Sequence, residues 1–119
     1  MLKLWTKALG LICTSLAMSM PAMAQTAEKF PSRPVTIIVG FAPAGAGDMS
    51  ARWIADYLRE RWKVPVLVDN KPGAGATIAA AQLARAKPDG YTVALATTSP
   101  FTVAPYFQKV AYDPSKDFS

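Results

Sequence analysis

The sequence contains no histidine and a single cysteine, Cys13. Without histidine there is no imidazole to serve as a general base or as a metal ligand. Cys13 sits in an N-terminal apolar segment, so the rest of the chain can close no disulfide and offers no thiolate to a metal. No Gly-Lys-Ser/Thr follows either glycine loop, which excludes a phosphate-binding P-loop. No Gly-x-Ser-x-Gly occurs, which excludes a nucleophile elbow. No pair of carboxylates flanks a loop, and the longest apolar run is too short and too poorly flanked to read as a membrane span.

What is present begins with Lys3 and Lys7, then an apolar stretch from Ala8 to Met18, Pro21, and Ala22-Met23-Ala24. This is the pattern of a secretory signal peptide over residues 1–24, with cleavage expected between Ala24 and Gln25. Ile12 precedes Cys13 where lipid attachment would call for Gly or Ala, so no lipid anchor is expected. Thirteen basic residues less Lys3 and Lys7 leave eleven against eight acidic. Only Arg59, Arg61 and Lys63 cluster, at a place where they complement a helix C-terminus. No nucleic-acid partner is expected.

Residues 25–119 suit one small domain, organised around Val35 to Arg52. Val35-Thr36-Ile37-Ile38-Val39 is a β-branched run apolar enough to be buried on both faces, as a parallel strand is. Gly40 ends it, Phe41-Ala42-Pro43 follow, and Gly45-Ala46-Gly47-Asp48 forms a glycine loop. Asp48 is expected to N-cap a helix from Met49 to about Trp62, whose free N–H groups and dipole make a seat for an anion. Ala51, Ile54, Ala55, Leu58 and Trp62 lie on one stripe of that helix, and Met49, Trp53 and Tyr57 are expected to widen it.

Val64 to Val68 reads as a second strand, closed by Asp69-Asn70-Lys71-Pro72. A second glycine loop, Gly73-Ala74-Gly75-Ala76-Thr77, leads into an alanine-rich helix from Ile78 to Ala86. Lys87-Pro88-Asp89-Gly90 turns the chain into a third strand, Tyr91 to Ala96, and Thr97-Thr98-Ser99-Pro100 offers a third loop. Phe101 to Phe107, broken by Pro105, reads as a helical turn or two. Strand and helix alternate, so the fold class is α/β, a parallel sheet with flanking helices. All three strand-to-helix loops should emerge at the carboxyl edge of that sheet, where ligands bind. The last residues, Asp113 to Ser119, carry no apolar element or cap, and further chain is expected after them.

Gly45-x-Gly47-x-x-Ser50 approaches a dinucleotide fingerprint but has Ser50 for the third glycine and a displaced first one. An exported protein also meets little nicotinamide cofactor. The alternative is a pair of helix-start loops that hold a carboxylate on neutral backbone donors, helped by the hydroxyls of Thr77, Thr98 and Ser99. Tight turns alone would also account for the glycines. A cap would fully account for Asp48, with a grip on a ligand amine as the other use.

The runs PSRPVTIIVGFAPAGAGDMSAR, VPVLVDNKPGAGATIAA, KPDGYTVALATTS and AYDPSKDF, in this order, resemble the periplasmic Bug-type receptors of tripartite tricarboxylate transporters. The resemblance covers essentially all of Lys29 to Ser119 and implies the first part of a two-domain, Venus-flytrap periplasmic-binding-protein fold. It implies a non-enzymatic receptor for small organic acids, without cofactor or metal, that serves the membrane subunits of such a transporter. Carried over by position, the ligand contacts are Phe41, Ala44, Gly45, Ala46, Gly47 and Asp48 in the first loop. Gly73, Ala74, Gly75, Ala76 and Thr77 follow in the second, and Thr98 and Ser99 in the third. Ala46 and Ala76 stand where glycine is frequent, so each must either avoid positive φ or bear its strain. Receptors of this kind have two domains, so residues 25–119 are expected to be an incomplete N-terminal domain with the second absent. An exported oxidoreductase fragment and a non-binding interaction module are the other classes compatible with the chain.

Overall fold

The computed structural model describes residues 29–118, and the expected signal segment and its cleavage site lie outside them. Three strands form one parallel sheet in the order β2-β1-β3: β1 (Val35–Val39), β2 (Val66–Asn70) and β3 (Thr92–Leu95). Val35 pairs with Val66 and Thr36 with Thr92 at the start of each ladder, and Val39 pairs with Asn70 and Leu95 at the end. β1 is central because it is the run buried on both faces. Ile37 and Val39 pack under α1 (Ala46–Trp62), and Ile38 is fully buried. α2 (Thr77–Ala84) buries Ala79 and Ala80, whose small side chains permit close approach.

Several boundaries differ from the sequence expectation. β2 starts two residues later than predicted, because Pro65 has no N–H for the ladder and contributes only its carbonyl, which accepts from Val35 N–H. β3 and α2 are shorter than predicted at both ends or at the far end, as terminal turns often are. The core stripe of α1 is narrower than expected: Ala51 and Ala55 are buried with Leu58 and Trp62 beside them, while Met49, Ile54 and Tyr57 are exposed and Trp53 is 70% exposed. Trp53 and Tyr57 follow the buried alanines by two residues, which carries them about 200° round the helix and away from the sheet.

Beyond β3 the chain is more helical than the sequence suggests. Ser99–Val103 winds in the wide five-residue repeat and runs directly into α3 (Ala104–Phe107). The Ala104 N–H donates to Ser99 O, five residues back. In that repeat Pro100 O would accept from residue 105, which is also proline and has no proton to give. The final segment, expected to carry no apolar element or cap, folds back on the chain. Asp113 N–H donates to the Asp117 carboxylate at 2.7 Å, closing a turn that brings Phe118 edge-on to Phe101, ring centroids 4.9 Å apart. Tyr112 joins this aromatic cluster, 5.5 Å from Phe118.

Candidate functional site

The three loops that follow β1, β2 and β3 meet at one sheet edge. A methyl group on Gly40 would lie 2.3 Å from the Ala76 Cβ, so the first loop lies directly on the second. A methyl group on Gly75 would lie 3.3 Å from Ser99 Oγ, which puts the third loop against the second. Lys71 N–H donates to Val39 O at 2.8 Å and carries the β1–β2 ladder one step into this region.

The first loop is built differently from the expectation. Asp48 is not the N-cap of α1; Gly45 is, and it has no side chain with which to cap. The helix starts three residues earlier than predicted because Ala46 and Gly47, read as loop from the glycine pattern, already hold helical conformation. Its first backbone bond is Met49 N–H to Gly45 O at 2.9 Å. The N–H groups of Ala46, Gly47 and Asp48 therefore lack an intrahelical acceptor. A Cβ at Gly47 would fall 2.5 Å from the Phe41 ring, so a larger residue there would push that ring aside.

Asp48 is turned inward and only 2% exposed. Its Oδ2 accepts from Ala44 N–H and from Arg52 Nε, each at 2.8 Å, and its Oδ1 accepts from Asn70 Nδ2 at 2.9 Å. Asn70 Nδ2 also donates to Phe41 O at 3.1 Å. Arg52, then Ala44 N–H and Asn70, hold the Asp48 carboxyl at about 2, well below the ordinary carboxylate range, against the opposing effect of burial. The pairing raises Arg52 in turn. The carboxylate is thus held by three donors from its own loop, its own helix and the neighbouring strand, and its burial keeps it from a ligand amine.

The second loop is a reverse turn with positive φ at both central residues, Ala74 at 47° and Gly75 at 63°, closed by Ala76 N–H to Gly73 O at 2.9 Å. Ala76 follows at φ 70° and is the N-cap of α2, again without a side-chain cap. Ala44 in the first loop has φ 64°. Of the two alanines standing where glycine is frequent, Ala46 is helical and unstrained, whereas Ala76 bears the strain. Three non-glycine residues in the left-handed region within two short loops is an unusual concentration, and such strain gathers where a structure is held for binding.

Thr77 is buried and its hydroxyl donates to Ala74 O at 2.9 Å, so its proton braces the turn and is not the free donor expected. Thr98 and Ser99 are exposed, and the Thr98 carbonyl accepts from Thr102 Oγ1. Arg52 and Asn70 were missed in the sequence. The i,i+4 spacing of Asp48 and Arg52 could have revealed the first, while nothing local marks Asn70. A groove of about 490 Å³ lies elsewhere, beside β3 between Leu83, Phe101 and Phe118.

A parallel α/β layer with converging helix-start loops at its carboxyl edge is the partial fold of a periplasmic binding protein. Residues 50–119 match the model of the tripartite tricarboxylate transporter family receptor, and the chain belongs to that family. A UPF0065 protein of Bordetella pertussis is 43% identical over 95 residues, 80% of this chain and 29% of that one. MatC of Rhodopseudomonas palustris, solved with bound malate, is 39% identical with a TM-score of 0.66 over 74% of this chain and 30% of its own. An R. palustris protein solved with adipate is 34% identical with a TM-score of 0.65, over 72% of this chain and 29% of its own. The chain thus spans about 30% of the length of the relatives it matches.

Proposed function

We propose that residues 25–119 form the first wall of an extracytoplasmic receptor for small organic acids, delivered to the membrane subunits of a tripartite tricarboxylate-type transporter. In this reading residues 1–24 direct export to the periplasm and are cleaved, and residues 25–119 are an incomplete N-terminal ligand-binding domain. The observation that carries the reading is the pair of helix starts, α1 and α2, side by side at one sheet edge and both without a side-chain cap. Amides left open in this way can seat a ligand anion, each charge-assisted bond contributing about 1.5–3 kcal/mol. Within Ala44 to Asp48 and Gly73 to Thr77, the donors left for an anion are the N–H groups of Ala46, Gly47 and Asp48 and of Gly73, Ala74 and Gly75, since those of Ala44, Ala76 and Thr77 are bonded within the loops, and neither loop carries a lysine or arginine. Ser99 borders the same place from the third loop, with Thr98 next to it in the chain, and Phe41 lies against Gly47 at its rim. Malate and adipate, bound by two solved relatives, are both two-ended acids.

One wall leaves a ligand wet, so residues 25–119 by themselves should bind acids only weakly, with a dissociation constant around millimolar, about −4 kcal/mol. The test is amide NMR of the labelled chain with millimolar malate and, in parallel, its uncharged diamide. Malate should shift the amides of Ala46 to Asp48 and Gly73 to Thr77, and the diamide should not. Equal shifts from both, or none from malate, would overturn the carboxylate reading. Micromolar binding of malate, adipate, citrate or succinate by calorimetry would overturn the reading of an incomplete wall.

A further inference from the structure

We infer that Asp48 and Arg52 are a paired positioning device for the candidate site: the carboxylate fixes Ala44 and Asn70, and the guanidinium cancels its charge behind the open amides. The inference rests on the carboxylate reading for its functional meaning but stands on its own geometry. Asp48 belongs to the first turn of α1, and its own N–H is one of the three open donors. An anionic side chain placed there, buried and unneutralised, would repel an incoming anion and oppose the helix-start potential that attracts it. Arg52 meets it at 2.8 Å one turn along the helix, with the guanidinium half-exposed on the outer side.

The pair also sets the distance between the two loops. Ala44 is held at φ 64° while its N–H donates to Asp48 Oδ2, and Asn70, the last residue of β2, donates to both Asp48 Oδ1 and Phe41 O. Phe41 and Ala44 belong to the first loop, and Asn70 leads into the second. One carboxylate therefore ties the left-handed residue before α1 to the strand end before α2. A conventional cap at position 45 would have turned its oxygen onto the helix amides and closed the seat. The brace accepts from Ala44 instead and leaves those amides open. The charged groups around it are Arg52 and Asp56 on α1 and the Asp69–Lys71 pair flanking Asn70 on β2, the latter bridged at 3.2 Å. The second loop, Gly73 to Thr77, brings no titratable side chain.

The experiment follows the Ala44 amide resonance of the labelled full chain between about pH 7 and pH 4, in the wild type and in R52Q, R52K and D48N. The wild-type resonance should stay in place over that range. R52Q should make it move as the pH falls, because the carboxylate then protonates in the accessible window, and R52K should restore most of the wild-type behaviour. D48N should shift the resonance at every pH and abolish its movement. Ile37 and Val68 amides report that each variant is folded. In the malate titration R52Q should bind about ten-fold more weakly near pH 7 and regain part of the loss near pH 5. An Ala44 resonance that behaves alike in wild type and R52Q, or an R52Q affinity equal to wild type, overturns the positioning role. Absence of any malate shift in the wild type, with the Ala44 resonances separating as described, overturns the carboxylate reading and leaves the brace standing.

Discussion

The Tyr112 hydroxyl donates to the carbonyl of Pro100, an acceptor whose helical partner is missing because residue 105 is proline. Burial raises the Tyr112 hydroxyl above its ordinary range, which keeps the proton on the oxygen where the bond needs it. Removing that hydroxyl in Y112F strands a buried carbonyl while keeping the ring among Phe101 and Phe118. The expected loss is about 1–3 kcal/mol of stability, read from the urea midpoint. A midpoint equal to wild type would mean that water replaces the phenol without cost.

Gly40 is the contact point of the first two loops. The G40A variant puts a methyl group 2.3 Å from Ala76 Cβ, a separation that forces backbone to move. Overpacking of this kind costs about 1–3 kcal/mol and should also spread the two helix starts. Urea unfolding gives the first effect and loss of malate-induced shifts gives the second. An unchanged variant would show that the loops separate freely.

Ala74 is exposed and strained at φ 47°. A74G relieves a left-handed penalty of about 1–2 kcal/mol and gives back part of it as added freedom of the unfolded chain. The net expectation is a gain of roughly 0.5–1 kcal/mol by the same measure. A loss instead would show that the Cβ has packing value there.

Acid should weaken the fold through Asp48. Its folded-state value, about 2, is depressed below the unfolded one, so the unfolded chain takes up the proton first as pH falls. The stabilisation is complete above about pH 4 and drains away towards pH 2. Asp89 and Asp113 are lowered as well, Asp89 first by Tyr91 N–H and Asp113 first by Ser115 N–H, and they act in the same direction. Urea midpoints at about pH 7, 4 and 3 should fall less steeply in D48N than in wild type. Parallel curves would mean that Asp48 titrates alike in both states.

The parallel sheet and the meeting of three loops were legible because each rests on a long-range rule with a clear local sign. β1 announces itself as five consecutive residues fit for burial, and alternation with helices then dictates the edge at which loops gather. The details that failed are those where neighbours overrule a local pattern. Ala46 and Gly47 look like loop until α1 takes them into its first turn, and Asp48 looks like a cap until Arg52 and Asn70 draw it inward. Met49, Trp53 and Tyr57 look like core, but a sheet of three strands contacts only the narrow stripe through Ala51 and Ala55. Asn70 carried no sign at all, because its part in the site depends on which loop β1 brings beside it.

The place of β1 in the sheet has a consequence for the newly made chain. It is the first strand to leave the ribosome and also the middle one, so it waits for β2 on one flank and, much later, for β3 on the other. Through that interval Val35-Thr36-Ile37-Ile38-Val39 is an uncharged β-branched pentapeptide with both hydrogen-bonding sides bare, the composition that self-associates most readily. Arg33, two residues ahead of it, later pairs with Asp89 at 2.8 Å; until Asp89 has been synthesised, that unpaired guanidinium is a charged gatekeeper against sticking to a second chain.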